Sequence, residues 1–229
     1  MSIAENVEMV RGRIRAACGR SGRRTEDVLL VAVSKTVPAE FIRQAYATGI
    51  RDFGENRVQE AAAKRSELSE LAATWHLIGH LQSNKAKLAC QLFDWVESID
   101  SLRIGDRINQ FAGAGGRKLP VLLEVNLGEE ASKFGAEEAE VMRLAEAIGR
   151  LEALELRGLM TLPPFFEDPE KVRPYFRRLR QLARHIEAQN LSGVSMRELS
   201  MGMSHDFEIA VEEGATIVRV GTALFGSRQ

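Results

Sequence analysis

The chain has little cysteine: Cys18 and Cys90 are the only two thiols in 229 residues. A disulfide framework or a zinc knuckle needs more sulfurs at closer spacing. Both thiols therefore read as small buried apolar residues in helix-like stretches, in keeping with a reducing compartment. Proline is scarce, six in all, and no low-complexity tract occurs, which speaks against a disordered scaffold. Neither sign of charge is in excess, since 31 basic residues face 32 acidic ones for a net charge of −1. That balance argues against broad electrostatic binding to nucleic acid or to an anionic membrane. No apolar run approaches the roughly 18–20 residues of a membrane span. The opening segment MSIAENVEMVRGRIRAACGRSG lacks the apolar block of a secretory signal. Hydrophobic residues nonetheless make up 45% of the chain, ample for a core without a disulfide or metal staple. The expectation is a compact cytoplasmic protein.

What the chain does have is a regular alternation of short apolar runs with longer amphipathic ones. A first helix ends near Gly22, and VLLVAVS (Val28–Ser34) reads as a buried strand. AEFIRQAYATG (Ala39–Gly49) reads as a helix with a glycine C-cap, RDFGEN as a short strand and turn before an alanine-rich helix. WHLIGHL is a strand, and SNKAKLACQL a helix after a serine cap. WVESID, LPVLLEVNL and LELRGLMTL continue the strands, each followed by a helix, the last of these running from Pro169 to about Gln189. MRELSMG is a seventh strand with HDFEIAVEEG as its helix, and TIVRVG an eighth. Strands separated by helices are parallel, joined by right-handed crossovers. An open doubly wound sheet and a closed (β/α)8 barrel both satisfy the pattern. The count of eight and the lack of GxGxxG after the first strand favour the barrel, as a single domain over residues 1–229 with an extra N-terminal helix.

A barrel directs attention to the C-terminal ends of its strands, where function gathers. Lys35 follows the first apolar run. Desolvation or a neighbouring cation there lowers a lysine pKa and leaves a free amine that attacks carbonyls; the plain alternative is a solvated strand-end lysine. Near the C-terminus, Ser204 stands at the expected N-cap of a helix His205–Glu213, with Gly202 allowing close backbone approach. Gly221-Thr222 ends the eighth strand. Barrels commonly bind phosphate with the loops after strands seven and eight, so these hydroxyls and amides read either as a phosphate cup or as a cap and a turn. Arg219 lies in the apolar TIVRVG, on one face with Ile217 and opposite Thr216, Val218 and Val220. Burying it demands a partner, either a barrel carboxylate such as Glu124 or a ligand atom in the mouth.

Taken together, VAVSKTVP (Val31–Pro38), FGENRVQE (Phe53–Glu60), WHLIGHLQSNK (Trp75–Lys85), VNLGEEASKFG (Val125–Gly135), RGLM (Arg157–Met160), LSMGMSHD (Leu199–Asp206) and VRVGTALFG (Val218–Gly226) resemble the pyridoxal phosphate homeostasis proteins, the YggS/PROSC family. The segments stand in family order across nearly the whole chain. The resemblance implies a TIM barrel of the alanine racemase N-terminal type, carrying pyridoxal 5'-phosphate on Lys35 as a Schiff base. It further implies that Ser204, Gly221 and Thr222 hold the phosphate, that Arg219 faces the pyridine nitrogen, and that Asn56 and Ser200 belong to the pocket.

An arginine at the pyridine nitrogen disfavours its protonation and weakens the ring as an electron sink. A racemase also needs a second base opposite the lysine, which the related enzymes resemble each other in supplying as a tyrosine. Tyr46 and Tyr175 both fall in expected outer helices, and with eight βα units taking up nearly all of the 229 residues no second domain is expected. His76, His80 and His205 read as hydrogen-bonding residues or as substitute bases. The reading is a non-catalytic, monomeric carrier that takes part in vitamin B6 homeostasis and passes pyridoxal phosphate to apo-enzymes. A pyridoxal phosphate-dependent racemase or lyase is the alternative, and a Schiff-base aldolase a third. The basic segment Arg173–His185 is a solvated helix face or a docking surface.

Overall fold

The computed structural model describes residues 1–128 and 134–226. Its strands are β1 (Leu29–Val33), β2 (Asp52–Glu55), β3 (Thr74–Leu77), β4 (Trp95–Ile99), β5 (Leu119–Asn126), β6 (Ala136–Glu137), β7 (Leu154–Thr161), β8 (Val194–Ser200) and β9 (Ile217–Val220). Every pairing among them is parallel. In spatial order β1, β2, β3, β4, β5, β7, β8 and β9 follow one another, β9 returns to β1, and β4 pairs with β5 to close the ring. The eight expected strands therefore form a (β/α)8 barrel. The two-residue β6, which lies beside the end of β5, has no counterpart in the sequence reading: two residues are too few to show a period.

The helices are α1 (Ile3–Ser21), α2 (Ala39–Ala47), α3 (Val58–Glu67), α4 (Ala86–Leu92), α5 (Leu102–Ala114), α6 (Glu138–Gly149), α7 (Arg173–Glu187), α8 (Phe207–Glu212) and α9 (Thr222–Phe225). Among these described helices, none is long and apolar enough to cross a membrane. The extra helix α1 begins at a capping box, in which the Ser2 hydroxyl accepts from Glu5 N–H and the Glu5 carboxylate accepts from Ser2 N–H. It ends at Gly22, whose φ of 66° is the left-handed conformation glycine adopts without strain. Its stripe Ile3, Val7, Val10, Ile14 and Ala17 is buried against α2, α8 and α9, in the i, i+4, i+7 spacing of one helix face. The serine cap expected before α4 is absent. Ser83 opens a single 3-10 turn, Ser83–Lys85, and α4 starts behind it with no side-chain cap.

Strand alternation sorts the core into two layers. Outward-facing Ala32, Phe53, Leu77, Val96, Val121, Leu123, Val218 and Val220 belong to the large core beneath the helices. Val31, Leu122, Met160 and Ile217 form a separate apolar cluster with Leu29 and Trp95, which fills part of the lumen as barrel interiors are filled. Ile217 is thus turned inward and Val218 and Val220 outward, as the alternation in TIVRVG predicts, and Arg219 shares the inward face.

Candidate functional site

Among the described residues, the seven positions singled out for the cofactor fall on one arc of the barrel. Lys35 follows β1, Asn56 follows β2, Ser200 ends β8 and Ser204 follows it, and Arg219 lies in β9 with Gly221 and Thr222 just beyond. In barrel order these strands are β2, β1, β9 and β8, four consecutive neighbours. The pairing of β1 with β9 sets Val31 opposite Arg219 and Ala32 opposite Val220. Lys35 and Thr222 consequently leave adjacent strands side by side. A cavity of about 790 Å³ opens there, lined by Lys35, Thr36, Phe41, Gly221, Thr222 and Phe225 among others. A second cavity, of about 520 Å³ and lined by Lys118, Arg157, Val194 and Arg197 among others, contains none of the seven.

The segment that presents Lys35 is anchored from below. Thr36 takes a φ of 61°, a left-handed conformation rare for a β-branched residue. Its N–H donates to Glu60 Oε1. The buried ammonium of Lys64 meets Glu60 Oε1 at 2.7 Å and Glu55 Oε1 at 2.8 Å, and also donates to the Ser34 carbonyl. The Ser34 hydroxyl donates to Glu55 as well. Two acids and one lysine thus hold both residues flanking Lys35.

At the other end, the Ser204 hydroxyl oxygen accepts from Gly221 N–H and from Ala223 N–H, each at 3.2 Å. This corrects the expectation that Ser204 caps the helix beginning at His205. That helix, α8, starts at Phe207 behind Asp206, and the Asp206 carboxylate takes the Met203 N–H. Ser204 instead ties the loop after β8 to the loop after β9. With its oxygen accepting twice, its own hydrogen is left to donate outward, beside the exposed Thr222. Gly202 is explained by packing: its φ is 93°, and a Cβ would lie 2.5 Å from Ala210 Cβ and 2.9 Å from Phe207 Cα.

Arg219 is 2% exposed. Nη1 donates to the Ser200 hydroxyl at 2.5 Å and Nη2 to the Thr161 carbonyl at 2.8 Å. The salt bridge to Glu124 considered from the sequence does not form within 4 Å, although Glu124 and Glu97 are near enough to favour the guanidinium charge against its burial. Burial, reinforced by Asp100 and opposed by Arg219, pushes the Glu124 carboxyl up to about 7, and its Oε2 has no hydrogen-bond partner.

All three histidines make polar contacts within the protein. His76 lies inside β3, fully buried, with Nδ1 2.7 Å from Glu97 and Nε2 3.1 Å from Asp52. His80 stacks on Phe134 and reaches Asp100, while His205 is bonded to the Phe166 and Glu167 carbonyls. Glu97 and Lys64 are the polar residues that sequence reasoning missed. The available signal was a charged residue at an alternate position of an apolar strand for Glu97; Lys64, in a helix rich in charge, gave none. Of the motif Val125–Gly135, residues 129–133 lie outside the described residues.

The donor set can be tested against the implied cofactor. An amine just beyond β1, three polar or amide positions after β8 and β9, and a buried cation in β9 supply what an aldehyde, a phosphate and a ring nitrogen require. The residues present fit pyridoxal phosphate.

Known proteins bear on the same point. The family model described as the alanine racemase N-terminal domain matches residues 4–229. The pyridoxal phosphate homeostasis protein of Aquifex aeolicus is 45% identical over 229 residues, covering 100% of both chains. That of Pseudomonas aeruginosa is 46% identical over 227 residues, covering 99% of this chain and 96% of its own. Among solved structures, PipY of Synechococcus elongatus PCC7942 with PLP bound superposes with a TM-score of 0.88 at 41% identity, over 98% of this chain and 100% of that one. The chain belongs to the alanine racemase N-terminal domain family and, within it, to the family of the pyridoxal phosphate homeostasis proteins.

Proposed function

We propose that the protein binds pyridoxal 5'-phosphate at the β2-β1-β9-β8 arc and holds it in reserve for homeostasis of the free cofactor, without turning over amino acids. The observation that carries this reading is the placing of Lys35, Arg219 and the Ser204–Gly221–Thr222 corner on neighbouring strand ends. Bound there, the cofactor supplies an aldehyde that a primary amine takes up reversibly. The Lys35 amine holds it on one side. The Ser204 hydroxyl, the Gly221 amide and the Thr222 hydroxyl bind the phosphate, and Asn56 and Ser200 complete the pocket. Arg219 sets a fixed positive charge at the ring nitrogen, which keeps a proton off that atom and restrains carbanion chemistry. Tyr46 and Tyr175 sit in or beside outer-helix packing, the first under Arg51 and the second against Phe166, so neither supports the two-base chemistry of a racemase. Transfer to apo-enzymes, action as a monomer and a cytoplasmic location belong to the same proposal.

Mass spectrometry of cofactor-loaded protein after borohydride reduction tests the binding half. A mass increment on the peptide containing Lys35, lost in Lys35→Ala, is expected; an increment on another lysine overturns the site. For the carrier half, exchange of amino-acid α-protons in deuterated water should stay at the rate of free cofactor. Exchange at an enzyme-like rate overturns it in favour of turnover.

A further inference from the structure

A line of polar contacts runs through the barrel lumen that the binding reading leaves unused. From Asp52 at the start of β2 it passes to His76 on β3, at 3.1 Å, and on to Glu97 Oε1 on β4, at 2.7 Å. Glu97 Oε2 accepts from the Ser200 hydroxyl at 2.5 Å, and Ser200 Oγ accepts from Arg219 Nη1 at 2.5 Å. The strands β2, β3 and β4 are neighbours, but β4 and β8 are separated by β5 and β7 on one side and by β3, β2, β1 and β9 on the other. The Glu97–Ser200 bond therefore spans the lumen. His76, Glu97 and Ser200 are fully buried, and Asp52 alone keeps contact with solvent, its side chain 19% exposed.

At the Arg219 end of this line the hydrogens can point only one way. A guanidinium is solely a donor, so the Ser200 oxygen must accept from Arg219 and its hydrogen must go to Glu97. Glu97 thus accepts at Oε2. Burial opposes its charge, but His76, Arg219 and Ser200 together hold its carboxyl below the usual range. Between the two carboxylates His76 donates from Nδ1 to Glu97 and from Nε2 to Asp52. Burial opposes the imidazolium, but the bonds to Asp52 and Glu97 outweigh it and hold His76 up at about 9. Two cations and two anions alternate, and the guanidinium, which directly touches only neutral oxygens, has its nearest connected negative charge one hydroxyl away. An isolated buried charge costs several kcal/mol; this line supplies its counter-charge without an ion pair that would compete with a ligand for the guanidinium.

We propose that Glu97 and His76 are positioning residues for Arg219, fixing the direction of its guanidinium through Ser200 from the floor of the pocket. The part of this that concerns the cofactor ring rests on the proposed function; the positioning itself does not. Glu97→Gln is the discriminating variant, because it keeps the shape and breaks the polarity. Its amide nitrogen must face either Ser200, forcing that hydroxyl to turn its hydrogen toward the guanidinium, or His76, forcing the imidazole to give up a proton.

The test begins with cofactor-free protein, labelled for NMR. In the parent, the His76 imidazole should stay charged through neutral pH, and the Arg219 guanidinium hydrogens should exchange slowly with water. In Glu97→Gln the imidazole should be neutral by pH 7 or the Arg219 hydrogens should exchange about ten-fold faster or more, the loss of one hydrogen bond. Ser200→Ala, which leaves both charges in place, should speed Arg219 exchange while His76 stays charged, and it decides the matter alone if Glu97→Gln does not fold. Unchanged Arg219 exchange in Ser200→Ala, or a His76 already neutral at pH 7 in the parent, overturns the proposal. In loaded protein, Glu97→Gln and Ser200→Ala should move the absorption maximum in the direction that Arg219→Lys moves it. If the parent takes up no pyridoxal phosphate, the functional reading fails while the NMR measurements still decide the positioning.

Discussion

At the scale of single residues, Glu124 and His76 couple folding to pH in the same direction. Burial, with Asp100 nearby, raises Glu124 from 4.5 to about 7, and the contacts of His76 overcome its burial to raise it from 6.5 to about 9. A group whose pKa is raised on folding contributes stability below its unfolded value and loses it as pH rises through the folded value. The Glu124 contribution is lost between pH 4.5 and 7, and the His76 contribution between 6.5 and 9. Stability to urea should fall from pH 6 to pH 9, and Glu124→Gln should gain about 3 kcal/mol more at pH 8 than at pH 4. An equal effect of Glu124→Gln at both pH values would show that the carboxyl titrates normally. Ser204 and Thr222 bear on the ligand instead. Under the proposed function each would lose one bond to a charged phosphate on conversion to alanine, so Ser204→Ala and Thr222→Ala should each weaken pyridoxal phosphate retention about ten-fold or more. Equilibrium dialysis reads this directly, and full retention in the double variant would place the phosphate elsewhere.

Among the elements, the β1–α2 connection depends on a residue of α3. Lys64, with its side chain 11% exposed, compensates Glu60 and the fully buried Glu55. Lys64→Met leaves two acids facing each other and should cost about 3–5 kcal/mol in urea unfolding. Adding Glu55→Gln should recover a good part of that loss, and no recovery would mean that the aliphatic stem of Lys64 matters more than its charge. Element boundaries show where the sequence was readable. VLLVAVS encodes β1 because a strand buried on both faces is apolar throughout, and TIVRVG reveals the side of Arg219 because side chains alternate every residue. The α4 start and the α8 cap were not readable. Ser83 and Ser204 are each good cap residues by type, but Ser83 entered a 3-10 turn and Ser204 bonded to amides 17 and 19 residues further along the chain.

For the whole molecule, closure between β4 and β5 removes every strand edge of the eight-membered ring, and α1 adds a further buried stripe outside it. Cys18 and Cys90 are 1% and 5% exposed, and burial pushes the Cys90 thiol up to about 11. With so little thiolate and so little access, neither should react with a thiol reagent in native protein. Reaction should follow the urea unfolding transition measured by circular dichroism; a thiol that reacts well before the transition would mark local opening of α1 or α4.

The sequence by itself determined the alternation of eight strands with helices, their parallel sense, and the strand ends where the candidate ligands lie, and it favoured a closed barrel over an open sheet. Those features follow from apolar periodicity and from motifs contiguous in the chain. Tertiary structure alone decided what those ligands touch. Glu97 and Ser200 are 103 residues apart and meet because ring closure sets β4 and β8 across one lumen. Ser204 reaches the Gly221 amide because β8 and β9 end together. Contacts of this kind depend on the stagger and curvature of the closed sheet, and no local pattern of residue types records them.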